Sequence, residues 1–146
     1  MSTELPQDGA LGEQQYAGQR LGLPAEGTRS VASWGRRVAA LFVDWFACLL
    51  VTQVIGNVAQ LSEASIRPLP LLVFLVEATL FTALTGSSFG QLALRIVVVR
   101  LDGRPVTVLH AFVRTLLICL VIPPVVFNRD NRGLHDLAVN TVALRR

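Results

Sequence analysis

An acid set in an apolar run has few chemical options, and this sequence holds two such acids. Asp44 is the only charge between Val38 and Leu61, and Glu77 is the only charge between Leu69 and Phe89. An ionised carboxylate at the centre of a membrane helix costs about 3 kcal/mol, so each wants a cation, a proton or a hydrogen-bond donor. Arg37 stands seven residues before Asp44, two helical turns away and on the same face. Helical side chains lean toward the N-terminus, so Arg37 snorkels away from Asp44, which lies roughly 10 Å deeper. The partner expected for Asp44 is therefore Arg114, the other strong charge in an apolar setting. Such a pair either locks helix packing or forms part of a working site. Glu77 likewise reads either as a proton-relay group or as a hydrogen-bonding group toward a neighbouring helix.

A third group, Arg132-Gly133-Leu134-His135-Asp136, brings a base, a histidine and an acid together. A histidine and an aspartate imply nucleophilic catalysis only beside an activated Ser or Cys, and no motif supplies one. An ion-pair cluster with Arg37 or Arg36 is the expectation, and no catalytic residue is assigned. His110 and His135 lack the spacing of zinc ligands, and Cys48 and Cys119 each sit in an apolar run as small hydrophobes. No metal, cofactor or nucleic acid is expected.

The elements that must position these groups are membrane helices. Of the 146 residues, 52% are hydrophobic and only 16% charged, against about a quarter charged in soluble domains. Residues 1–33, rich in Gly, Gln, Glu, Pro and Ser, read as a disordered tail. The membrane domain then covers residues 34–146, with helices over about 36–61 and 69–89. Ser33 is a plausible N-cap, Trp34 an interfacial anchor, and Pro68 and Pro70 open the second helix where proline costs least. Arg95–Leu101 is β-branched, Asp102-Gly103 is a turn signal, and Pro105–Val108 resumes, predicting a β-hairpin over 95–108. The apolar segment 109–127 contains Pro123-Pro124 and its longest uncharged run is 13 residues, which suits a re-entrant or interfacial piece. A polar C-terminal segment, 128–146, closes the domain. The fold class expected is an all-α membrane protein of two helices, or three if 109–127 crosses, with a small cytoplasmic hairpin.

All thirteen basic residues are Arg. If the third apolar run dips in and returns, twelve of them lie on one side; if it crosses, the split is eight against five. The positive-inside bias favours the first arrangement, multi-pass in the inner (cytoplasmic) membrane with both termini cytoplasmic.

The run Arg37-Val-Ala-Ala40-Leu-Phe-Val-Asp44, the junction Gly86-Ser-Ser88-Phe-Gly90, Asp102-Gly103, Arg114, and Leu134-His135-Asp136 with Thr141 resemble the RDD family of small bacterial membrane proteins. The resemblance covers about residues 35–144, and it places the family's arginine and two aspartates on Arg37, Asp44 and Asp136. The family junction commonly reads G-x-T-x-G-K, whereas Ser88 and Gln91 stand here in place of the threonine and lysine. Position 91 therefore carries no cation. The resemblance implies a connection with transport, cation–proton exchange having been suggested for some members. Two spans enclose no pathway, so ion movement would require a homo-oligomer; the alternative is a non-transporting accessory or scaffold subunit of a membrane complex.

Overall fold

The structure is a computed structural model that describes residues 14–120 and 126–146. Its longest element, α1 (Trp34–Ala59), has 26 residues, about 39 Å at 1.5 Å per residue. Ser33 occupies the N-cap position, and Gln60 ends the helix in the left-handed conformation. One face is buried, formed by Ala40, Asp44, Cys48, Thr52 and Gly56 at every fourth position. These small residues let other elements approach the backbone closely. The remaining faces are apolar and bare, with Phe46 64%, Leu50 70% and Val58 80% exposed.

The short α2 (Glu63–Ile66) turns the chain back. Its Ile66 sits where a Cβ on Gly56 would have to be, 2.3 Å from the ideal position. α3 (Leu69–Thr85) returns alongside α1, burying Phe74, Ala78, Thr79 and Thr82. Gly86 stops it at φ 77°, its N–H bonded to the Thr82 carbonyl, a conformation open to Gly at little cost. Glu63–Thr85 and Trp34–Ala59 are both long and apolar enough to cross a membrane, and only 22% of the best window of each is buried. Apolar surface on that scale far exceeds what a soluble monomer exposes.

After α3 come α4 (Phe89–Ala93) and β1 (Ile96–Arg100), then α5 (Val108–Cys119), α6 (Leu134–Ala138) and β2 (Thr141–Arg145). The sheet corrects the expected hairpin. β1 pairs antiparallel with β2, register Val98↔Ala143, and not with the residues after Gly103. Asp102-Gly103 does form a turn, with Gly103 N–H donating to the Arg100 carbonyl and Arg104 N–H to Asp102 Oδ1. Pro105 then lacks an N–H to offer. β2 carries a nearly continuous buried run, Thr141 to Leu144, which fills the core side that a polar return strand could not.

The other edge of β2 is taken by the segment before α1, and here the expected tail is corrected for residues 14–33. Ala32 N–H donates to the Ala143 carbonyl, Arg29 N–H to the Arg145 carbonyl, and Arg145 N–H to the Ser30 carbonyl. A turn of 3-10 helix spans Gln19–Leu21. The polar composition hid a backbone ladder that needs no apolar side chains. The rest of the expected tail, 1–13, lies outside the described residues. Ala32, Ala40, Ile96, Val98, Val106, Ala111 and Ala143 form the core where sheet and helices meet.

α5 has 12 residues, about 18 Å, too short alone for a hydrocarbon core of about 30 Å. It buries Ala111, Arg114 and Thr115 against the rest. Pro123-Pro124 and the neighbouring part of the third apolar run lie outside the described residues.

Candidate functional site: a buried charge hub

The hub centres on Asp136, whose side chain is 0% exposed. Arg37, one turn into α1, donates from Nη1 to Asp136 Oδ2 at 3.0 Å. Its Nε reaches the Ala32 carbonyl and its Nη2 the Ala143 carbonyl, so a single guanidinium fastens α1 to the sheet and to α6. From α5, Arg114 donates through Nε to Asp136 Oδ1 at 2.9 Å. Thr141 adds its hydroxyl to the same oxygen at 3.1 Å, and His135 Nε2 lies 3.6 Å from Oδ2.

Burial alone would raise the Asp136 pKa. Arg114, His135 and Arg37 outweigh burial and hold it down at about 2. The carboxylate is ionised at neutral pH and bridges α1, α5, α6 and β2. A buried pair of this kind is costly to break, about 3–5 kcal/mol when one partner is removed, because the other charge is left uncompensated.

Asp44 does not pair with Arg114, which corrects the expected partner. Its Oδ2 accepts from the Ser88 hydroxyl at 2.6 Å and its Oδ1 from the Gly90 backbone N–H at 2.5 Å. Glu77 has a parallel role, its Oε1 accepting from the Phe89 backbone N–H at 2.8 Å. Ser88 is the N-cap of α4, and its Oγ accepts from Gln91 N–H while Gln91 Oε1 accepts from Ser88 N–H. The first N–H groups of a helix have no intrahelical acceptor. Here the first goes to Glu77, the second to Asp44 and the third to Ser88. Two acids from the two long helices therefore seat one five-residue helix by its N-terminus, where negative charge is favoured.

Gly90 is what permits the fit. A Cβ there would lie 2.1 Å from the Ala40 carbonyl oxygen of α1. Sequence reasoning passed over Ser88, Gly90 and Gln91 as partners of the acids. The signal present was the Ser88-x-x-Gln91 spacing of a capping box.

The two groups of charges face a common chamber of about 70 Å³, lined by Arg37, Asp44, Ser88, Gln91, Arg114 and His135 among others. It has room for a few water molecules. Thus Arg37, Arg114, His135 and Asp136 are brought together in direct contact and Asp44 adjoins them across the chamber, whereas Glu77 stands apart on α3. Arg36, the other arginine considered for the cluster, donates to the Leu94 carbonyl instead.

The RDD family model matches residues 31–140, most of the chain. The chain belongs to the RDD family. No curated protein and no solved structure matches it. Family membership and the two long apolar helices together point to a membrane protein.

Proposed function

We propose that the chain is a non-transporting accessory or scaffold subunit of the inner membrane, working within a homo-oligomer or a membrane complex with both termini cytoplasmic. The observation that supports this reading is the use to which the acids are put. Asp44 spends both oxygens and Glu77 one on the N-terminus of α4, and Asp136 is saturated by two arginines and Thr141. Groups spent on backbone donors and fixed cations hold a shape. A relay group must exchange partners as it gains and loses a proton.

One observation favours a second reading, proton or cation movement by an oligomer. Glu77 Oε2 is buried with no hydrogen-bond partner among the described residues, and lone intramembrane acids are often functional. Purified protein in liposomes with a pH-sensitive dye and a panel of cations separates the two. The scaffold role predicts flux no greater than in empty liposomes. Flux that Glu77→Gln abolishes, with yield and oligomer size unchanged, would replace it with the relay role.

A further inference from the structure

We infer that the groove lined by Arg29, Arg100 and Arg104 at the end of α3 binds the phosphate of an anionic phospholipid. The groove measures about 570 Å³ and lies between the last turn of α3, β1 and the loop 103–106. Three arginines line it. Among the described residues the acid ion-paired with them is Asp102, which takes Nη2 of Arg100. Arg100 Nε is buried with no acceptor among the described residues. The inner wall adds Thr82, only 1% exposed, whose hydroxyl also lacks a partner there. Arg29 is held at φ 69°, a conformation unusual for a residue with a side chain. Its N–H is fixed on the Arg145 carbonyl, which places Arg29 on the groove rim.

Position decides which anion. The groove opens where the span Glu63–Thr85 ends, at the level of lipid headgroups if that helix crosses the bilayer. Leu84, 83% exposed, belongs to the same wall. A ligand with a phosphate for the arginines and an acyl chain for α3 fits both surfaces, and a soluble phosphate fits only one. Polybasic sites beside a membrane gain about a fivefold affinity per Arg for anionic lipid.

The inference rests on the membrane reading, and the test reads the two separately. Full-length protein is placed in nanodiscs of mixed phosphatidylglycerol and phosphatidylcholine, released, and its retained lipids are counted by native mass spectrometry. Phosphatidylglycerol should be retained preferentially. Arg104→Gln, on an exposed loop, should lower that preference about fivefold, while Arg67→Gln, the same charge change at the other end of the span, should leave it intact. Equal retention of the two lipids, equal effects of the two variants, or complete displacement by glycerol phosphate would each overturn the site. Failure to enter nanodiscs at all would overturn the membrane reading and the site with it.

Discussion

Gly90 and Ala40 approach so closely that no side chain fits between them, a Cβ on Gly90 falling 2.1 Å from the Ala40 carbonyl oxygen. The contact is backbone against side-chain position, so neither rotamer changes nor a flexible neighbour can relieve it. Gly90→Ala must move α4 away from α1, and with it the Asp44 hydrogen bond. Overpacking of this kind costs roughly 1–3 kcal/mol, and the lost acceptor adds to that. Gly35→Ala is the control, since nothing lies within 4 Å of a Cβ there. Thermal unfolding in detergent should show a clear drop for the first and none for the second. Equal melting temperatures would mean that α4 is not held where the structure has it.

Asp136 should tolerate asparagine better than alanine. Alanine leaves the Arg37 and Arg114 guanidiniums facing each other without an acceptor, whereas asparagine retains one carbonyl oxygen. The alanine loss should reach about 3–5 kcal/mol, enough to empty the membrane fraction of folded protein. Yield and unfolding midpoint of the two variants check the order, and a reversal would contradict the bridging role.

The same carboxylate sets an acid limit. Its pKa is about 2 folded against an ordinary 3.8. A depressed folded value stabilises above the unfolded pKa and is lost as pH falls through the folded one. Stability from this group should therefore be constant down to about pH 4 and decline toward pH 2, by about 2 kcal/mol in all. Urea titrations in detergent across that range should show the decline in the native protein, and Asp136→Asn should lack this component.

Because β1 pairs with β2, the turn at Asp102-Gly103 fixes no strand register. Inserting Gly-Ser after Gly103 should cost under about 1 kcal/mol, since lengthening a flexible loop is cheap. Removing residues 141–146 should be far worse, stripping β1 of its paired strand and Asp136 of the Thr141 hydroxyl. Comparable stability of the two variants in detergent would restore the hairpin.

Much of the frame was readable before the structure. The two long helices follow from apolar run length, and an ion-pair cluster of His135-Asp136 with Arg37 or Arg36 follows from the lack of a nucleophile motif. The structure gives Asp136 to Arg37 and the Leu94 carbonyl to Arg36. The partner of Asp44 is not legible in residue types. A charge count nominates Arg114, but Asp44 instead binds a hydroxyl and a backbone N–H, and backbone donors have no signature in residue identity. The hairpin failed for a related reason. Residues 95–108 carry a true turn signal, yet strand pairing is decided by which segment can bury its side chains, and that segment lay some forty residues further on.

The long reach of the Asp136 contacts has a bearing on how the chain is made. Arg37 leaves the ribosome 99 residues before the carboxylate that neutralises it, and Arg114 leaves 22 before. Both long helices, and α5 after them, are therefore complete while Arg37 and Arg114 still lack their acceptor, and β1 waits unpaired over the same interval. The contacts that join α1, α3 and α4, by contrast, all lie in chain made before Leu134. The hub and the strand pairing must wait for the short segment containing Leu134–Arg145. A stall or cleavage just upstream of that segment would leave an inserted but unlocked protein, with an open strand edge for quality control to recognise.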